Sequence, residues 1–108
     1  MYIVDHFTSN YGSDAAITAM MDQTELIVIP VVNIDGYAFT WTNNRLWRKS
    51  RNTNLGSSCT GTDLNRNYND RWDSGIGTSS NPCSSIFKGA SPGSEPEIAA
   101  TTTYFKNI

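Results

Sequence analysis

Leu26-Ile27-Val28-Ile29-Pro30-Val31-Val32 is an apolar, largely β-branched run of strand length. That pattern predicts a strand buried on both faces. Such a strand needs neighbours, because its backbone N–H and C=O groups are costly to leave unpaired. The other 101 of the 108 residues offer no comparable strands to flank it. The expectation is therefore that residues 1–108 are a piece of a larger sheet-containing domain. The run is also far too short to span a bilayer, so no membrane partner is expected.

Around this run the sequence predicts few regular elements. Residues 2–9 read as the end of a helix, broken at Asn10-Tyr11-Gly12. Ser13 is the expected N-cap of a short helix from Asp14 to about Met21, with Asp14 near its positive end. Asn33-Ile34-Asp35-Gly36 reads as a turn closing the strand. Ser94-Glu95-Pro96-Glu97 has the form of a capping box with Pro in the first turn, leading a helix through about Lys106. Between them, the 45 residues from Lys49 to Gly93 have hardly any periodicity. Only Thr62–Asn65 suggests a short strand. A loop of that length inside a compact domain points to function.

Charge is concentrated in the same region. The net charge is −2, yet six of the eight Lys and Arg fall between Arg45 and Arg71. No acidic residue occurs from Gly36 through Thr62. Asn44-Arg45-Leu46-Trp47-Arg48-Lys49 and Asp63-Leu64-Asn65-Arg66-Asn67-Tyr68 bring arginines and an amide together from two places. Arginine offers a planar fork of donors suited to a carboxylate or phosphate, and asparagine adds oriented donors. Such a site binds an anion or stabilises one formed in a reaction. Local positive charge on an acidic chain favours a focused pocket over a nucleic-acid track, so no nucleic-acid partner is expected. Cys59 and Cys83 have neither zinc-knuckle nor Cys-x-x-Cys spacing. A disulfide between them would staple the loop, and two free thiols in a reducing compartment are the alternative. Met1-Tyr2-Ile3-Val4-Asp5 lacks the basic leader and apolar core of a signal peptide.

The two segments, with Asn10-Tyr11-Gly12-Ser13-Asp14, Ile29-Pro30-Val31-Val32-Asn33, Asp35-Gly36-Tyr37, Trp41-Thr42, Cys59-Thr60-Gly61, Asn81-Pro82-Cys83 and Ser94-Glu95-Pro96-Glu97, resemble the zinc metallocarboxypeptidases of the carboxypeptidase A/B type. The resemblance covers most of the chain in order. It implies an α/β fold, an α/β/α sandwich around a mixed, twisted eight-stranded sheet, of which residues 1–108 would be a central portion of the peptidase catalytic domain. It assigns Arg48 to polarising the scissile carbonyl and stabilising the oxyanion. Asn65 and Arg66 would grip the substrate's C-terminal carboxylate, and Arg45 would line the substrate groove. Cys59 and Cys83 match a family disulfide, which points to secretion. The implied partner is a peptide or protein C-terminus, and the resemblance leaves room for an activation pro-segment in the parent.

The departure from the pattern concerns the metal. A catalytic zinc takes about three protein ligands and an open position for water. His6 is the sole histidine, has no glutamate three residues on, and matches no family ligand. The expectation is zinc in the parent enzyme and none held by this chain alone, which would therefore be inactive by itself. Two other readings compete. One is a non-catalytic carboxypeptidase-like module that binds peptide C-termini. The other is a nucleic-acid surface built on Trp41, Trp47 and the local arginines.

Overall fold

The structure is a computed structural model that describes residues 2–108, which fall into two compact units, residues 2–30 and 31–108. Unit one holds helix α1 (Tyr2–Asn10) and helix α2 (Ala15–Gln23). Gly12, at φ +82°, turns the chain between them. The N-cap of α2 is Asp14, not Ser13. Asp14 Oδ1 accepts from the backbone N–H of Ala16 and Ile17 at 2.9 and 3.1 Å. The Ser13 hydroxyl instead turns back to the Asn10 carbonyl. Both residue types cap well, and the one in extended conformation immediately before the first turn does so. Tyr11 Oη donates to Asp22 Oδ1 at 2.8 Å, which pushes the tyrosine pKa above its ordinary value.

The strand expected at Leu26–Val32 is not formed. The segment is not helical, but it has no ladder partner among the described residues, and Leu26, Val28 and Ile29 remain 49, 40 and 41% exposed. With Tyr2, Ile3 and Val4, residues Leu26–Ile29 line an apolar cavity of about 590 Å³. The β-branched pattern records a preference that only a neighbouring strand can satisfy. The 108-residue chain expressed alone is accordingly expected to self-associate or to melt without a cooperative transition. A sharp thermal transition from a monomer in analytical ultracentrifugation would refute this.

Unit two opens with a second difference from the sequence reading. Asn33–Gly36 is not a turn but the start of helix α3 (Ile34–Thr42). Asn33 Oδ1 accepts from Gly36 N at 3.0 Å, closing the first turn. Glycine, β-branched and aromatic residues have low helix propensity, and this hid the helix. Beyond it, Ser50 N donates to Thr62 O and Gly61 N to Asn52 O, both at 2.8 Å, around an isolated antiparallel bridge between Thr53 and Thr60. The Cys59–Cys83 disulfide ties this loop to the segment carrying the Ser79–Phe87 bridge. Thr62–Asn65 does not pair as a strand. Leu64–Arg66 is a single 3-10 turn capped by Asp63.

Helix α4 (Pro96–Lys106) has Pro at its start as expected, but its capping box does not form. Glu95 supplies the cap backbone with no side-chain cap bond, because its carboxylate is used elsewhere. Its two oxygens accept from Ser50 Oγ at 2.9 Å and Thr62 Oγ1 at 3.0 Å. The core is thus small and mixed. Leu64, Phe87 and Ile98 are its buried apolar side chains, packed among buried Ser50, Thr62, Asp63, Asn67 and Glu95.

Asn67 is fully buried and ties its own turn to the segment from Lys88 to Glu95. Its Nδ2 reaches Lys88 O, Ser91 O and Ser94 Oγ at 2.9 to 3.0 Å, and its Oδ1 accepts from Glu95 N at 3.0 Å. Gly89, at φ +87°, allows this approach: a Cβ there would stand 2.5 Å from Asn67 Nδ2. The long aperiodic segment is therefore ordered by side chains acting as surrogate backbone partners.

Candidate functional site

The end of α3 and the Leu64–Arg66 turn bring the two arginine-bearing segments to one place. Arg48 follows α3 and is held at both ends. Asn33 Nδ2 donates to the Arg48 and Lys49 carbonyls at 3.2 and 3.0 Å. The same Asn33 side chain caps α3, so the helix start and the arginine backbone share one clamp. At the far end, Arg48 Nε and Nη2 both donate to Asp63 Oδ2 at 2.9 and 2.8 Å, and Nη2 also reaches Oδ1 at 3.1 Å. Half the arginine side chain is exposed (51%), and its Nη1 has no partner among the described residues. The free edge of this guanidinium can meet an anion.

Aromatic contacts support the segment. Arg51 lies over the rings of Phe39 and Trp47, and Trp47 Nε1 donates to Lys49 O at 2.6 Å. Lys49 is buried and donates from Nζ to Pro82 O at 2.7 Å, next to the disulfide. Burial pulls the Lys49 pKa below the ordinary lysine value. A lowered lysine pKa opposes folding while the group is charged. Its cost is present below the shifted pKa and disappears as pH rises toward the unfolded value.

Asp63, 2% exposed, also presents Oδ1 to Asn65 N at 3.2 Å, capping the turn that displays Asn65 and Arg66. A cavity of about 290 Å³ is lined by Asn33, Arg48, Asp63, Asn65, Tyr68 and Ile98, among others. A second, of about 300 Å³, is lined by Asn65, Arg66, Tyr68, Arg71 and Trp72 with their neighbours. Asn65 and Tyr68 belong to both. Arg66 Nε donates to Gly77 O at 2.8 Å and Nη1 to Asn65 O at 3.0 Å, which leaves Nη2 without a partner among the described residues.

Three of the four residues expected at the site, Arg48, Asn65 and Arg66, therefore lie on adjoining cavities that share a wall. The fourth does not join them. Arg45 stacks on Trp41 at 4.2 Å and donates to Thr40 Oγ1 at 3.2 Å, and it lines neither cavity. Asn33 and Asp63 are the supporting residues that the sequence reading did not pick out. Asp63 stood inside the Asp-x-Asn-Arg-Asn segment, where an acid beside arginines was the available signal.

The described residues do not suit a zinc ion. They contain no cluster of three or more His, Cys, Asp or Glu side chains placed to hold a metal. His6 lies in α1 stacked against Tyr2 at 5.6 Å, and both cysteines are consumed by the disulfide. No described helix is long and apolar enough to cross a membrane.

Comparison with known proteins identifies the family. The family model described as zinc carboxypeptidase matches residues 1–108. Carboxypeptidase B of Bos taurus is 48% identical over 106 residues, covering 98% of this chain and 25% of that protein. Metallocarboxypeptidase A of Trichophyton rubrum is 47% identical over 107 residues, 99% of this chain and 25% of the relative. Among solved structures, thrombin activatable fibrinolysis inhibitor aligns with a TM-score of 0.89 at 39% identity, over 98% of this chain and 26% of that one. The chain thus spans about a quarter of the length of the curated relatives it matches. A match over its whole length, with near half of its residues identical to such relatives, makes this chain a member of the zinc carboxypeptidase family.

Proposed function

We propose that residues 1–108 are part of the catalytic domain of a secreted zinc metallocarboxypeptidase, which hydrolyses the C-terminal peptide bond of peptides or proteins. The observation that carries this reading is the juxtaposition of Arg48 with Asn65 and Arg66 on two cavities with a common wall. In the parent, this portion would sit within an α/β/α sandwich around the eight-stranded sheet of the family. The zinc and its ligands would be contributed from elsewhere in the parent, so the 108 residues alone would not hydrolyse peptides.

Each residue has a physical task. Arg66 and Asn65 offer a guanidinium and an amide to the terminal carboxylate, a charge-assisted pairing that selects a free C-terminus. Arg48 presents its unpaired edge to the oxygen of the scissile carbonyl, where negative charge develops. The Cys59–Cys83 disulfide, separated by 24 residues, suits an oxidising extracellular setting. Arg45, stacked on Trp41, would meet the substrate further out along the groove.

The test compares peptides with free and amidated C-termini on the full-length protein. Cleavage should be confined to the free form, and Arg66→Ala should raise KM for it by about tenfold or more, the loss of one charged hydrogen-bonded contact. Equal cleavage of the amidated peptide would overturn the assignment of Asn65 and Arg66.

A further inference from the structure

We infer that Lys88 is a positioning residue that anchors both ends of the loop walling the carboxylate cavity; this rests on the function proposed above. The loop is residues 72–79. Trp72, Ser74, Ile76 and Thr78 line the cavity of about 300 Å³ that Asn65 and Arg66 also line. The Gly77 carbonyl accepts from Arg66 Nε at 2.8 Å, so the loop also orients that guanidinium. Among the described residues, this is the one hydrogen bond that residues 74–78 make outside residues 71–79.

Lys88 meets the loop at its two ends. Its backbone N–H donates to Ser79 O at 3.0 Å, and its carbonyl accepts from Trp72 Nε1 at 2.8 Å. Its ammonium lies 3.9 Å from the centre of the Trp72 ring and 2.7 Å from Asp73 Oδ1. One residue thus takes the indole by its edge and by its face. Lys88 is 7% exposed, and a lysine is rarely so buried unless it is paired. The Asp73 side chain is 87% exposed, so the ion pair by itself contributes little. The ring contact is the better shielded of the two, and cation–π attraction grows as the cation is desolvated. Buried Asn67 fixes the anchor from behind, donating from Nδ2 to the same Lys88 carbonyl at 2.9 Å. The loop itself is open to solvent, with Ile76 84% exposed. A loop with so few bonds of its own takes its position from its ends. Lys88 touches no substrate in this arrangement. It acts through Trp72 and the loop on Arg66.

Two substitutions in the full-length protein test this. Lys88→Met keeps the side-chain length and the backbone bonds and removes the ammonium. Trp72→Phe keeps an aromatic face and removes the Nε1 donor. The first readout needs no activity: limited trypsin proteolysis at the Arg71–Trp72 bond, beside the 86% exposed Arg71 side chain, with the cut located by mass spectrometry. Cleavage there should be several-fold faster in either variant, because local opening of the loop costs less. An unchanged cleavage rate in both would overturn the anchoring. The second readout is steady-state kinetics on a peptide with a free C-terminus. Lys88→Met should raise KM by about fivefold, the factor an ordinary cation–π contact contributes, and leave kcat within about twofold. An unchanged KM, or a loss confined to kcat, would overturn the inference. On the Arg66→Ala background, Lys88→Met should raise KM no further, because it acts through Arg66. Independent, multiplicative rises would overturn it, since a general structural defect behaves that way. An unchanged KM in Arg66→Ala itself would instead overturn the proposed carboxylate grip, and proteolysis would still decide whether Lys88 anchors the loop. If Lys88→Met does not fold, Trp72→Phe carries both measurements.

Discussion

Replacing Arg48 with alanine in the full-length protein is expected to lower kcat by roughly a hundredfold to a thousandfold, the range for removing one fixed oxyanion donor. KM should change little, since the interaction is made mainly as charge develops on the oxygen. The expectation rests on the guanidinium being preorganised. Asn33 holds its backbone, Asp63 holds Nε and Nη2, and Nη1 has no partner among the described residues. Steady-state kinetics on a peptide with a free C-terminus check it. A loss appearing in KM with kcat intact would mean that Arg48 binds the ground state, and the oxyanion role would have to be abandoned. Arg48→Lys should recover little, because an ammonium cannot engage the Asp63 fork and the substrate together.

The second large effect concerns stability. Asn67→Ala is expected to destabilise the protein by about 3 kcal/mol or more, as the partners on buried Lys88 and Glu95 lose their hydrogen bonds at about 1–3 kcal/mol each and those on the more exposed Ser91 and Ser94 lose theirs as well. The side chain serves the carbonyls of Lys88 and Ser91, the Ser94 hydroxyl and the Glu95 amide. No other side chain takes over all four, and the residue is fully buried, so water does not replace it without a cavity. Asn67→Asp should be no better, since it removes the donors and places a second carboxylate near Glu95. Denaturant unfolding of the full-length protein measures this. A midpoint indistinguishable from wild type would show that the loops are held by other contacts.

The two segments chosen from the sequence for their arginines did converge, and the physical reason is simple. Arg48, Asn65 and Arg66 are donor-rich side chains in stretches without helical or strand periodicity, so their chemistry was legible residue by residue. Their supports were not. Asn33 read as a turn former, yet it caps α3 and clamps the Arg48 carbonyl fifteen residues away in sequence. Glu95 read as part of a capping box, yet it is buried against Ser50 and Thr62, 45 and 33 residues distant. Local pattern assigns a polar side chain to its nearest backbone partner. Tertiary structure reassigned both to distant ones.

The sequence by itself determined that this chain carries arginine-bearing segments in a long loop and an apolar run with no strand comparable to it. Helix α4 and its proline start, and the break after α1, were also set locally, because capping and turn chemistry act within a few residues. Only the tertiary structure decided that Asp63 would pair with Arg48 and that Arg45 would turn to Trp41 instead of joining the cavities. It also decided that a core with few buried apolar side chains would be completed by Asn67, Thr62 and Glu95. Those outcomes depend on which distant donor meets which buried acceptor, and spacing along the chain does not encode that.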